Sequence, residues 1–560
     1  MSRPLAALLR GLRSLFALAL SAAGLAAQVD PPAHLWATWS GPSPGDQYGR
    51  ALASLGDVDG DGWPDFACGA PYAAPGGSIG GLAELRAGAA GLLLHALHGE
   101  AGSQLGAALA GPGDLNGDGQ ADWAVGAPLG GPGAQGELRV LSGAEGVPLY
   151  SVHGVASGSR FGGALAALGD LDGDGCSELA VAARMQGDAG PLSGAVHVLS
   201  GADGSTRFVS HGDSGGEMHG WSVGAAGDLD LDGVPDLLVG APTAWTGSRV
   251  RALSGVDGAL LHAWVEPSGA LYGHSVRGGV DLDADGLCEV AIGAPFDGSG
   301  APYGGRVSVH SGTGASELWR VHGAQLEGFL GESLAWSADS DGNGVRELFA
   351  GAPGGPQQRG RVQLLSGVDG AALQEWHGVQ EGDGFGVSVV ELGDVNADGR
   401  PEFLVGASAK ALEGVQAGAT RLLSPEPLLL RASALGLALG SPASVQLELS
   451  GGAGAAGAPY LVLGSLSGSA PPGAWGGAWG ALGLPLVPDA YTQLLLAAPS
   501  SAPLQPVFGS LDAQGAASAL FQLPDAPPPS WAGLVLHHAA WVGASSAAQS
   551  SLAVPLYLLP

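Results

Sequence analysis

The sequence predicts an all-β chain, a seven-bladed β-propeller followed by a small β-sandwich-like domain. Three observations lead there. A nine-residue acidic loop recurs seven times at a spacing of about 56 residues. The apolar runs between loops divide each period into four short strands, and a repeated four-strand unit is the mark of a propeller blade. Finally, 101 glycines in 560 residues with only 13% charged residues suit turn-rich β structure better than helix.

The third loop shows the pattern most completely: Asp170-Leu171-Asp172-Gly173-Asp174-Gly175-Cys176-Ser177-Glu178. Acids stand at positions 1, 3, 5 and 9, and Gly at position 6 allows a sharp bend. Ca²⁺ takes six to eight oxygens at roughly 2.3–2.6 Å, and alternate residues of a tightly curled loop can all point at one ion. The main-chain carbonyl at position 7 can add one more oxygen. An EF-hand opens in the same way but closes on Glu at position 12 between helices. Here the closing acid comes at position 9 and an apolar run follows at once, so each loop is expected to join two strands.

The candidate ligands are Asp57, Asp59, Asp61 and Asp65 in the first copy, and Asp114, Asn116, Asp118 and Asp122 in the second. Asp170, Asp172, Asp174 and Glu178 form the third set, and Asp228, Asp230, Asp232 and Asp236 the fourth. The fifth is Asp281, Asp283, Asp285 and Glu289; the sixth is Asp339, Asp341, Asn343 and Glu347. Asp394, Asn396, Asp398 and Glu402 complete the series. One such run would be an ordinary solvated turn. Seven in register, with only Asn replacing Asp, point to as many as seven structural Ca²⁺ sites. Seven divalent ions would bring the formal net charge of −31 to about −17. The acidity therefore belongs largely to the loops, and a nucleic-acid partner is excluded by the missing basic footprint.

Each unit carries more than its loop. Nine residues before the first Asp stands an apolar or aromatic residue followed by Gly: Tyr48-Gly49, Leu105-Gly106, Phe161-Gly162, His219-Gly220, Tyr272-Gly273, Leu330-Gly331 and Phe385-Gly386. After the loop comes a short strand ending in Gly-Ala-Pro, as at Leu237–Pro242 and Val290–Pro295. Pro removes a ladder donor and ends the strand. A third strand leads into Leu-Ser-Gly, as at Val362–Gly367, and a fourth ends near Trp376-His377-Gly378.

These units resemble FG-GAP repeats, as in the N-terminal propeller of integrin alpha subunits, over about residues 34–424. The resemblance implies seven blades with Ca²⁺ held in the hairpin between the first two strands of a blade. Integrins fill only some blades, whereas here all seven loops carry the ligand set. The departures are His219 at the Phe position, Ala183-Arg184 in place of Ala-Pro, and Ser408 in place of the last Pro. Ring closure is also expected. Trp39-Ser40-Gly41 stands nine residues before Tyr48, as Trp376-His377-Gly378 stands nine before Phe385. Residues 34–41 thus read as a lone fourth strand that completes the seventh blade and hides its edge.

The ends of the chain read differently. Arg3, Arg10 and Arg13 precede an apolar core at about Leu15–Leu25 and small residues Ala26 and Ala27. That is the form of an export signal, too short to span a bilayer, so residues 1–27 are expected to be removed. Cys68, Cys176 and Cys288 show neither disulfide nor zinc spacing. From residue 425 the repeat and the charge both stop, and residues 425–560 read as a separate all-β module. It is similar to the low-charge C-terminal modules of secreted bacterial FG-GAP proteins.

Catalytic groups are hard to find. His98, His153, His211, His322 and His377 recur at one place in the repeat, so symmetry spreads them around the ring. His537-His538 lies in an apolar run without acids beside it. No zinc-protease helix motif occurs. Trp36, Trp39, Trp264, Trp319 and Trp376 fall on fourth strands, where packing between blades is expected; Trp475 and Trp479 lie in a Gly-rich run. The expected function is an exported, monomeric, non-catalytic scaffold without a transmembrane segment, which binds an extracellular protein or glycan. The alternative is a carbohydrate-active lyase or hydrolase built on a calcium-bearing propeller.

Overall fold

The computed structural model describes residues 35–424, apart from 75–76, 89–90, 244–246, 267–268, 313, 315, 341–342, 396–400 and 409–416, together with strand backbone between 429 and 559. The expected leader (1–27), Trp475 and Trp479 lie outside the described residues. Seven four-stranded sheets make up the repeats, and six of them run from first to fourth strand in sequence order. Blade 1 comprises Ala51–Gly56, Asp65–Ala70, Leu82–Ala87 and Leu92–His98; blade 2 comprises Ala108–Gly113, Asp122–Ala127, Glu137–Leu141 and Pro148–His153. Blade 3 is Phe161–Gly169, Glu178–Ala183, Ala195–Leu199 and Thr206–His211, and blade 4 is Ser222–Gly227, Asp236–Ala241, Ser248–Leu253 and Leu260–Glu266. Blade 5 is Ser275–Val280, Glu289–Ala294, Arg306–His310 and Glu317–His322, and blade 6 is Ser333–Trp336, Leu348–Ala352, Arg361–Leu365 and Ala372–His377.

Blade 7 takes Phe385–Gly393, Glu402–Ala407 and Ala419–Leu423 from the end of the repeats, and its fourth strand is Leu35–Ser40 from the start. The Gly41 N–H then donates to the Gly418 carbonyl at 3.2 Å. The seventh sheet therefore has no open outer edge facing solvent as an unpaired third strand.

Burial follows position in the blade. Second strands such as Asp236–Ala241 are buried at every residue, because a sheet neighbour lies on each side and another blade on each face. Their sequences are correspondingly continuous apolar runs. Fourth strands alternate, with Pro148–His153 exposed at every second or third residue. Between blades the cores merge: Leu85 of blade 1 packs in one cluster with Trp123 and Val125 of blade 2. Phe349 of blade 6 stacks on Phe403 of blade 7 at 4.2 Å, and Trp376 meets the same ring at 4.7 Å. Trp264, Trp319 and Trp376 are all buried, and the Trp319 Nε1–H donates to the Gly367 carbonyl of the next blade at 2.8 Å. The recurring histidines pair with the opening residues of third strands, as Leu82 with His98 and Arg361 with His377. They stand in separate blades and converge on nothing.

The two glycines of the repeat do one job together. A Cβ on Gly69 would stand 2.0 Å from the Gly106 carbonyl oxygen, and one on Gly126 would stand 2.1 Å from that of Gly162. The same clash would arise between Gly240 and Gly273, Gly293 and Gly331, and Gly351 and Gly386. Gly406 meets Gly49 in this way at 2.0 Å across the closure. The second strand of one blade thus lies backbone against backbone on the start of the next, an approach only Gly permits. In blades 4 to 7 a serine fastens the contact. Ser222, Ser275, Ser333 and Ser388 donate to the carbonyls of Gly273, Gly331, Gly386 and Gly49 at 2.6–2.8 Å. Blades 1 to 3 carry Ala51, Ala108 and Ala164 there.

His219 fits the buried Phe position by staying neutral. Burial first, then the Arg251 guanidinium, pushes it down to about 3, and the Ser210 hydroxyl lies 3.0 Å from its Nε2. Beyond the propeller, strands between residues 429 and 559 pair into a four-stranded and a six-stranded sheet.

Gly406→Ala should cost about 3 kcal/mol, since overpacking a rigid backbone contact cannot be relieved by a rotamer change. Ser388→Ala, which removes one hydrogen bond at the same interface, should cost about 1 kcal/mol. Urea denaturation of both variants in calcium buffer measures the difference.

Candidate metal-binding loops

In every blade but the sixth, the acidic loop begins where the first strand ends in a bulge. The ladder slips between Ser54 and Gly56 and between Ala225 and Gly227, which turns the chain out of the sheet. A nested set of turns then curls the loop. The position-1 carboxylate accepts the position-6 glycine N–H: Gly62 to Asp57 at 2.9 Å, Gly175 to Asp170 at 2.9 Å, Gly286 to Asp281 at 3.0 Å. The position-5 side chain accepts the position-7 N–H, as Trp63 to Asp61 at 2.9 Å and Val345 to Asn343 at 2.7 Å. Gly62, Gly175 and Gly286 sit at φ of 90–92°, as the spacing requires.

Among the described residues, four loops gather three or more carboxylate oxygens within 4.8 Å of one another. These are Asp57/Asp59/Asp61, Asp170/Asp172/Glu178, Asp228/Asp230/Asp236 and Asp281/Asp283/Asp285/Glu289. They are the four loops without Asn. In the second loop Asn116 instead donates to Asp118 at 3.0 Å. Of the other expected ligands, Asp339 and Asn343 keep the same turns, with Asp339 accepting from Gly344 at 2.8 Å. Asp341, Asn396 and Asp398 lie outside the described residues.

Position 9 does more than its spacing tells. All seven of its side chains are fully buried, because they open the second strand and not the loop. In the Asp versions both oxygens are held by backbone. Asp65 accepts Val58 N–H and Gly88 N–H at 2.7 Å each, and Asp236 accepts Leu229 at 2.7 Å and Gly255 at 3.0 Å. Asp122 does the same with Leu115 and Gly143. In the Glu versions one oxygen takes the loop N–H, as Glu178 from Leu171 at 2.6 Å and Glu289 from Leu282. The other oxygen, Oε1 of Glu178 and of Glu289, is buried with no hydrogen-bond partner among the described residues. A buried carboxylate oxygen without a donor is costly, and a cation is the partner that removes that cost. The loop residues therefore fit Ca²⁺, with oxygen-only ligands, flexible turns and a closing carboxylate held from behind.

Two features lay outside the sequence signal. Position 4 is also left-handed, at Gly60, Gly117 and Gly173, but equally at Leu231 and Ala284, both with φ 61°. In the third loop Arg207 of the fourth strand pairs with Asp172, placing a positive charge beside that ligand set.

Family profiles agree with the architecture. The FG-GAP-like repeat matches residues 170–239, and the FG-GAP repeat matches 48–81 and 272–310. Integrin alpha-5 of Xenopus laevis is 33% identical over 208 residues, 34% of this chain and 20% of that protein. Integrin alpha-V of Gallus gallus is 31% identical over 216 residues, 35% of this chain and 20% of that protein. Integrin alpha-PS2 of Drosophila melanogaster is 35% identical over 150 residues, 24% of this chain and 10% of that protein. The chain thus spans a fifth or less of the length of these relatives. It carries FG-GAP repeats on an integrin-alpha-like propeller.

Burial pushes Asp65 and Asp236 up to about 6 and Glu289 up to about 7. A carboxyl raised on folding contributes stability below its unfolded value, near pH 4, that is lost as pH rises through the folded value. Metal-stripped protein should therefore lose stability from about pH 4 to about pH 7, and calcium should reverse the trend. Melting temperature against pH, with and without calcium, checks both signs. Separately, Leu231→Gly should stabilise by about 1 kcal/mol, because it removes a left-handed non-glycine residue whose side chain is exposed.

Proposed function

We propose that this protein is an exported, calcium-stabilised β-propeller that serves as a non-catalytic binding scaffold outside the cell or at its surface. The observation that carries the reading is the recurrence of one oxygen-lined loop at the same end of blade after blade. Among the described residues, four of these loops bring three or four of their carboxylates within 4.8 Å of one another. Sites repeated by symmetry around the ring and supplied with several protein oxygens suit a structural ion better than a catalytic one. The likeness to integrin alpha propellers supports the extracellular setting, as does the leader-like residue pattern at 1–27. Among the described residues no helix is long and apolar enough to cross a membrane. Residues 425–560 are proposed as a separate β-sandwich module, and a chain of residues 28–424 should melt cooperatively and as a monomer without it. The binding partner is an extracellular protein or glycan, and a glycan array with calcium-loaded protein tests the second class.

Calcium is expected at up to seven loops. The tighter sites are those beginning at Asp57, Asp228 and Asp281; the third is offset by Arg207, and the Asn-containing loops at Asp114, Asp339 and Asp394 are weaker. With a dissociation constant of about 10⁻⁴ M, each site contributes about 1.4 kcal/mol at about 1 mM calcium. Four sites then contribute about 6 kcal/mol, a loss on chelation that Mg²⁺ should restore poorly. Asp283→Ala should remove one ion and about 1.4 kcal/mol, leaving the other blades intact. Calorimetric titration of metal-stripped protein decides the matter. Absence of calcium uptake, or a melting temperature indifferent to chelator, would overturn the proposal.

A further inference from the structure

The residue that follows the glycine opening each repeat is different in every one of the seven repeats. In chain order it is Arg50, Ala107, Gly163, Trp221, His274, Glu332 and Val387. All seven line one cavity of about 350 Å³, bounded by the first strands of all seven blades. The repeat thus holds its glycine fixed for packing and leaves the next residue free to vary around a shared, partly open cavity.

The charge in that space runs against the rest of the chain. The protein has 21 basic and 52 acidic residues. Yet the cavity is lined by Arg50, Arg184 and Arg277 against a single carboxylate, Glu332. Arg184 comes from the third blade, where it replaces the Pro of Gly-Ala-Pro, and the small Ala107 and Gly163 leave room on that side of the cavity. Its guanidinium lies 4.8 Å over the Trp221 ring, and its Nε is buried with no hydrogen-bond partner among the described residues. Burial, together with the charges of Arg160 and Arg50, lowers its pKa. Glu332 does not neutralise this group. It stands 3.9 Å from Arg50 Nη1 and 3.8 Å from His274 Nε2, beyond hydrogen-bond length. Burial pushes His274 down towards the neutral form, and its Nδ1 is also without a partner among the described residues.

The remaining wall is mixed: Ser222, Ser275, Ser333, Ser388 and Gln104 line it beside a band of apolar side chains. Leu52, Leu109, Leu165, Val223, Leu334 and Val389 stand further along the first strands, in the same cavity. The acidic loops lie at the other end of those strands, about 20 Å away at roughly 3.3 Å per residue. That exceeds a screening length of about 8–10 Å, so they do not cancel the positive charge.

We propose that this cavity binds a small organic carboxylate. Arg184 and Arg50 hold its carboxyl group, and its apolar body rests on Trp221 and the Leu/Val wall. Guanidinium groups match a carboxylate in shape and charge, and an Arg fixed by an aromatic face loses little freedom on binding. An inorganic oxyanion would leave the apolar band unused. The site is separate from the metal loops and does not depend on how they are filled.

The test uses full-length mature protein in calcium buffer, with benzoate, its neutral isostere benzamide, and sulfate as probes. Calorimetry should show benzoate binding at least about tenfold tighter than benzamide, a difference of about 1.4 kcal/mol. Arg184→Pro restores the residue found in most other repeats, so this variant should fold; Arg184→Gln and Arg50→Gln change only charge and reach. Each should weaken benzoate about tenfold and leave benzamide unchanged. The proposal is overturned by equal affinity for benzoate and benzamide, or by no benzoate binding at all. Unaltered benzoate affinity in the Arg184 and Arg50 variants, or tighter binding of sulfate than of benzoate, would also overturn it.

Discussion

Everything in this propeller depends on how closely two backbones approach at each blade interface. The second-strand glycine of one blade lies against the carbonyl of the first-strand glycine of the next, where even a methyl group would stand within about 2.1 Å of an oxygen. That contact sets the spacing of neighbouring blades along the chain, and the last instance, Gly406 on Gly49, joins the two ends. Parallel bridges such as Gly81 to Leu105 and Gly360 to Phe385 repeat the same linkage from blade to blade, and Tyr48 to Gly418 repeats it at the closure. The third interface has Ala182 instead of glycine, with its Cβ 3.2 Å from where one on Gly220 would lie. It is also the blade in which Pro gives way to Arg184. A looser backbone contact and a reaching side chain occur together there.

The repeat was legible because two different demands print the same period on the sequence. Backbone approach fixes the glycines, and turn geometry fixes the acids and the position-6 glycine. Four strands per blade follow from the apolar runs between them. The role of position 9 was not legible, because Asp and Glu there look like ligands whether they face an ion or tie down a turn. The structure shows them doing the second in every described case, while the spare oxygens of Glu178 and Glu289 remain available for the first. The left-handed backbone at Leu231 and Ala284 was hidden for another reason. Glycine at Gly60, Gly117 and Gly173 looks optional until the dihedral angle is seen.

The rim residues escaped notice because sequence repetition draws attention to what stays the same. Arg50, Trp221, His274 and Glu332 share a position but no chemistry, so no motif includes them. Only the ring geometry brings them to one cavity. Arg184 looked like a weakened strand end, a lost Pro, when read along the chain. Seen against Trp221 it is a substitution that gives a buried space its charge.

These features separate the work of the two ends of a first strand. At the far end, burial raises the pKa values of Asp65, Asp236 and Glu289, so these buried carboxyls resist ionisation unless a cation compensates them. At the near end, the same low-polarity interior strips solvent from Arg184 and leaves it seeking an anion. Both ends store unfavourable charge, of opposite sign, and both do so because the glycine contacts pack the strands between them too tightly to admit much water. A fold held by backbone proximity can carry such charges where a fold held by side-chain packing would relax around them. A cation at one end or an anion at the other would add back the stability that its site withholds.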